Sequence, residues 1–224
     1  MHATIDLHCH LLPGIDDGAR DLEDAVAMAK QAHADGVEAI CATPHIRADH
    51  SVVVAELARR QEVAGLISRA GCQTRVLGGG EVAVDMLGRL GDRELAAVAL
   101  GDTGRWILLE PAPGPLDGRF EDAVRTLQTR GFRALIAHPE RHPAPDLVAR
   151  LARLVRRGAL VQATAAYLTD EATRAGMLAL ARAGVLHVLG SDALTPRARA
   201  VRLRWQRQSR RSPGSTRSVR IWNG

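Results

Sequence analysis

A chain of 224 residues with 46% apolar content can build one full hydrophobic core of α/β-barrel size, and at 3% aromatics that core must be Ala, Leu and Val. The net charge of +5 does not argue for a nucleic-acid-binding body. Nine arginines and no acid lie from Arg197 onward, and the 30 basic residues less these nine leave 21 against 25 acidic ones.

Residues 3–7 read as a strand that runs into His8-Cys9-His10. Side chains alternate along a strand, so His8 and His10 share a face with Asp6 beneath them, and Cys9 points the other way. The Pro13-Gly14 turn brings Asp16 and Asp17 back toward the same place. Leu22 to Ala34 has one apolar face, Asp21 to cap it and Gly36 to stop it, and reads as a helix. Val37 to Ala42 is a strand leading into Thr43-Pro44-His45, and Val52 to Ala70 is a helix ended by Gly71. Thr74 to Leu77 is a strand entering Gly78-Gly79-Gly80-Glu81, and Trp106 to Leu109 one ending at Glu110-Pro111. There follow a helix from Phe120 to Arg130, a strand from Ala134 to Ala137 ending at His138-Pro139, and a helix from Leu147 to Arg157. Leu160 to Gln162 is a strand, Glu171 to Ala183 a helix, and Val185 to Leu189 the last strand, ending at Gly190-Ser191-Asp192.

Strands that alternate with helices indicate a parallel sheet with crossover helices. About seven strands predict an α/β fold, a closed or nearly closed (βα)7 barrel over residues 1–196. The basic segment 197–224 reads as a disordered tail. No GxGxxG follows the first strand, which ranks a dinucleotide-binding sheet lower. The cysteines Cys9, Cys41 and Cys72 are odd in number with no CxxC, so neither a disulfide framework nor a zinc knuckle is indicated. With no signal-peptide pattern and no apolar run of spanning length, a reduced cytoplasmic setting without membrane insertion is expected.

Metal-ligand residue types sit at the C-terminal ends of six predicted strands: His8 with His10, His45, Glu81, Glu110, His138 and Asp192. In a parallel barrel these ends share one rim, where the active site lies. Each residue alone has an ordinary structural reading; the repetition does not. Imidazole and carboxylate without thiolate suit zinc, manganese or iron. Paired ions bridged by a carboxylate such as Glu81 would suit hydrolysis of a phosphate ester. A bridge through a carboxylated lysine is not expected, because Lys30 is the sole lysine and lies within the first helix.

Asp6-Leu7-His8-Cys9-His10, Leu12-Pro13-Gly14, Asp16-Asp17-Gly18, Ala42-Thr43-Pro44-His45, Gly80-Glu81, Leu109-Glu110, Ala137-His138-Pro139-Glu140-Arg141 and Ser191-Asp192-Ala193 closely resemble the PHP-type, CpsB/YwqE-like protein-tyrosine phosphatases of bacterial capsule and exopolysaccharide synthesis. The resemblance implies a distorted seven-stranded barrel with three divalent ions, commonly manganese. It implies His8, His10, Glu81 and Asp192 as ligands of the first ion. Glu81, Glu110 and His138 would hold the second, and Asp17 and His45 the third. Arg141 and Arg199 match arginines that grip the substrate phosphate. The implied partner is the phosphorylated tail of a tyrosine autokinase.

Two features depart from the pattern. The expected Ser-Asp-Ala-His reads Ser191-Asp192-Ala193-Leu194, and leucine cannot bind a metal, so weaker occupancy of the third site is expected. The C-terminus shows little helical patterning and no acids, so a barrel without its closing helix is expected. Two other readings stay open: a PHP phosphoesterase acting on a small molecule or nucleotide, and a degenerate barrel that binds phosphotyrosine without cleaving it.

Overall fold

The computed structural model describes residues 4–48 and 59–195. Strand and helix alternate along the described chain: β1 Ile5–Cys9, α1 Leu22–Ala34, β2 Ala39–Ala42, β3 His45–Ile46, α2 Arg59–Arg69, β4 Arg75–Leu77, β5 Glu81–Ala83, α3 Asp92–Ala97, β6 Trp106–Glu110, α4 Gly118–Thr129, β7 Arg133–Ile136, α5 Leu147–Arg156, β8 Leu160–Thr164, α6 Glu171–Arg182 and β9 Val188–Gly190.

All the pairings are parallel, in the orders β1-β2-β4 and β3-β5-β6-β7-β8-β9. The two sheets are one curled sheet with a seam. Proline has no N–H to give a ladder, and β2 breaks at Thr43-Pro44 before resuming as β3. The strand beside it breaks at Gly78-Gly79-Gly80 and resumes as β5. Nine segments therefore fill seven strand positions. The ends of the curl meet where Cys9 bridges Ala193. His10 N–H donates to Ala193 O at 3.1 Å and Asp192 N–H to His8 O at 2.8 Å. Asp6 Oδ1 ties the same joint by accepting from the Ser191 N–H at 3.0 Å.

Apolar packing lies in two shells. Outside the strands, Ile107, Leu109, Ile136 and Val161 are covered with Val124, Leu127, Leu151 and Leu154 of α4 and α5. Cys9 and Ile40 pack with Met28 and Ala29 of α1 and with Val63 and Ile67 of α2. Cys9 thus faces away from the histidines, as the alternation predicts. Inside the barrel, Leu7, Cys41, Leu108 and Leu135 form an apolar floor with Leu160 and Val188.

α1, α4, α5 and α6 fall within two residues of the sequence expectation, whereas α3 was not expected, and Asp21 caps α1 by accepting from the Asp24 N–H. Strand ends differ more. β1 continues to Cys9, β8 continues to Thr164, and β9 begins only at Val188. His187, inside the strand expected from Val185 to Leu189, is half-buried just before β9, its Nδ1 accepting from the Val161 N–H. Arg150 and Arg153 of α5 both donate to Glu121 on α4. The first turns of the helix expected from Val52, and the tail from Arg197 with any closing helix, lie outside the described residues.

Candidate metal centre

Glu81 opens β5 at the rim and is fully buried among four imidazoles. Its Oε2 stands 3.3 Å from His8 Nε2, 3.4 Å from His10 Nε2 and 3.0 Å from His45 Nδ1. Its Oε1 is 2.6 Å from His138 Nε2. Asp192 Oδ1 lies 3.6 Å from Nε2 of both His8 and His10. Glu110 approaches His45 Nδ1 at 3.8 Å, and Asp17 approaches His45 Nε2 at 3.5 Å from the exposed side of the rim. Three triads bring one ligand atom of each member within 4.8 Å of the others: His8-His10-Glu81, His45-Glu81-Glu110 and His10-Asp17-His45.

The surrounding hydrogen bonds set the tautomers. Gln162 Oε1 must be the oxygen, because the His138 backbone N–H donates to it at 3.2 Å. The His8 ring nitrogen 3.2 Å from that oxygen, Nδ1, therefore carries a proton. His10 Nδ1 donates likewise to Asp16 Oδ2 at 2.8 Å. In the neutral rings both Nε2 atoms present lone pairs. They are buried, make no hydrogen bond, and face the carboxylates of Glu81 and Asp192. Lone pairs held against anions in a low-dielectric site need a positive charge between them, a proton or a metal ion. The residues present therefore fit a divalent ion of the imidazole- and carboxylate-loving kind.

Without a metal ion, a proton takes its place on His10. Burial opposes that charge, but the carboxylates of Asp16 and Glu81 outweigh burial and raise the His10 pKa to about 10, so a metal ion at Nε2 would displace a proton. Burial would also raise Glu81, yet the charge of His8 and the bonds from the imidazoles hold it well below the usual carboxylate range. His138 is pushed down to about 4, by burial first, and its neutral ring donates Nε2–H to Glu81. Glu110 is raised by burial and by the negative charge of Glu81.

Local backbone explains the motifs. His138 and Asp192 take positive φ, 28° and 47°, which non-glycine residues adopt at a cost. Each lies two residues past the end of its strand, β7 and β9. In Asp16-Asp17-Gly18, a Cβ on Gly18 would lie 2.3 Å from His10 O, so only glycine lets the loop fold back on His10. That loop buries Asp16, which also accepts from the His45 and Gly18 N–H groups.

The profile of the family described as capsular polysaccharide synthesis, CpsB/CapC, matches residues 4–214. The chain belongs to this family. It is 34% identical over 202 residues to the tyrosine-protein phosphatase YwqE of Bacillus subtilis (strain 168), covering 84% of this chain and 76% of YwqE. It is 27% identical over 203 residues to CapC of Staphylococcus aureus, with the same coverage of both. A solved structure from work on YwqE of Bacillus subtilis and CpsB of Streptococcus pneumoniae, described as metal-dependent tyrosine phosphatases, superposes with a TM-score of 0.78. It is 28% identical, and the match covers 93% of this chain and 87% of that one.

The structure brings together His8, His10, His45, Glu81, Glu110, His138 and Asp192, with Asp17 at the outer edge. Arg141 stands beside them, its Nη2 donating to Asp192 Oδ2 and its side chain 37% exposed. Arg199 lies outside the described residues. Sequence reasoning gave no role to Gln162 or Thr164, and it named Asp16 without seeing that it carries His10. A polar residue at i+2 along β8 was the available signal.

Proposed function

We propose that this chain is a metal-dependent protein-tyrosine phosphatase whose ions are manganese. The observation that carries the reading is the buried Glu81 with the Nε2 atoms of His8 and His10 turned toward carboxylates. His8, His10, Glu81 and Asp192 would hold one ion, and Glu81, Glu110 and His138 a second. Asp17 and His45 would hold a third, weakly, because Leu194 offers no ligand. Bound there, such ions lower the pKa of coordinated water and neutralise charge on a phosphoryl group.

The chain's own residues do the rest. Arg141 presents a planar guanidinium at the mouth, suited to two phosphoryl oxygens at once. Arg199 would add a second grip. Asp192 restrains Arg141 through one carboxylate oxygen, so the guanidinium is already aimed when substrate arrives. The tyrosinate leaving group has a conjugate acid of pKa about 10, so no dedicated general acid is needed. Cys9 takes no part, being buried in the outer core. The substrate is the phosphorylated tail of a tyrosine autokinase of capsule or exopolysaccharide synthesis, met in the cytoplasm. No helix among the described residues is long and apolar enough to cross a membrane.

The test is turnover with manganese on a phosphotyrosyl peptide, histidinol phosphate and a short oligonucleotide. The peptide should be hydrolysed at least ~100-fold faster than the other two, a preference worth about 2.7 kcal/mol. Preference for either competitor assigns the chain to phosphoesterases of small molecules or nucleotides. Peptide binding without turnover makes it a binding barrel.

A further inference from the structure

Six of the seven strand positions end in a candidate ligand. β8 ends in none, and it would pass as scaffold. Its interior face nevertheless carries Leu160 in the floor and then Gln162 and Thr164, two residues apart and both fully buried at the level of the ring. Ala163 between them faces the outer core beneath α6.

Each of the two holds other strands' residues. Gln162 Oε1 takes the His8 Nδ1 proton and the His138 backbone N–H, each at 3.2 Å. One oxygen thus fixes the tautomer of a β1 histidine and braces the positive-φ backbone of the histidine after β7. Thr164 donates its hydroxyl to Asp192 Oδ2 at 3.0 Å. That oxygen also receives Arg141, which leaves Oδ1 toward His8 and His10. Thr164 is braced in turn, because its own N–H donates to Glu140 Oε1 at 2.7 Å.

The neighbouring strand makes room for this. Gly190 is the register partner of Thr164, and a Cβ there would lie 2.7 Å from Gln162 Nε2 and 3.0 Å from His8 Cβ.

We infer that β8 is the positioning strand of the centre. Gln162 and Thr164 are positioning residues that orient His8, His138 and Asp192 and so set metal affinity without touching metal or substrate. The inference rests on the metal-centre reading above. Partners that orient ligands are worth about 10–100-fold in affinity when lost.

The test is the manganese dissociation constant of the full chain, by equilibrium dialysis with elemental analysis, for Gln162→Leu, Gln162→Glu, Thr164→Val and Thr164→Ser. The melting temperature in chelator is read in parallel. Glu and Ser keep the acceptor and the hydroxyl, and these variants should bind within about threefold of the unmodified chain. Leu and Val keep the volume but not the bonds, and should bind about 10–100-fold more weakly while melting as cooperatively as the parent. Unchanged affinity in Gln162→Leu and Thr164→Val overturns the inference, as does equal weakening in all four. If Gln162→Leu does not fold, Thr164→Val against Thr164→Ser decides by the same criterion. No manganese binding by the unmodified chain overturns the metal-centre reading and this inference with it, an outcome distinct from equal affinities among variants.

Discussion

On β6, Leu108 and Glu110 face the same barrel interior two residues apart, yet they occupy different media. Leu108 belongs to the floor with Leu7, Cys41 and Leu135, where burial pushes the Cys41 thiol up to about 12. Glu110 belongs to the ring, where a buried carboxylate, Glu81, is kept ionised by four imidazoles. The floor is satisfied by apolar contact and gains stability from every methylene. The ring is satisfied only when a cation sits among its donors. One barrel therefore separates the two jobs: the floor fixes strand positions, and the ring spends that rigidity on buried charge. β8 makes the division on a single strand, with Leu160 below and Gln162 and Thr164 above.

The sharpest break is at Glu81. Glu81→Ala should lower phosphotyrosine turnover by more than ~100-fold, beyond the loss expected for a residue that only orients a ligand. The fold should survive, as read by circular dichroism, because the floor is untouched.

Leu108→Ala is the converse. Chemical denaturation should show a loss of about 2–5 kcal/mol, and metal affinity per folded molecule should stay the same.

Gly190→Ala strikes the joint between the two regions, and overpacking against Gln162 and His8 should cost about 1–3 kcal/mol. Unlike Leu108→Ala, it should also weaken manganese binding, measured by dialysis.

Acidity acts on the ring alone. Without a cation His10 keeps its proton up to about 10, so a metal ion must displace that proton at any lower pH. Apparent manganese affinity should therefore fall about tenfold for each unit of pH lowered from 9 to 7, as binding that releases one proton requires. A flat profile would show that His10 is not a ligand.

The smallest effect is expected at Leu194, where Leu194→His should raise bound manganese and turnover by a few-fold. No change in either would remove the third ion from the account.

The ring was largely legible in the chain because each candidate ligand closes a strand within a short contiguous motif. His8, His10, His45, Glu81, Glu110, His138 and Asp192 need only the barrel to bring them together. The supporting residues were not legible for the opposite reason. Gln162 and Thr164 are ordinary strand residues whose partners lie 154 and 28 positions away, at His8 and Asp192. β3 and β5 escaped notice as segments of two and three residues behind a proline and three glycines. The short α3, Asp92–Ala97, offers too few turns for a helical period to show.

The central claim is that the buried ring is a cation site. Its most direct test is elemental analysis of the full chain after equilibration with manganese and removal of free ion, beside Glu81→Ala. The account predicts at least two manganese ions per chain, with nearly all of them lost in the variant. A chain that retains no manganese, or a variant that retains as much as its parent, would contradict it.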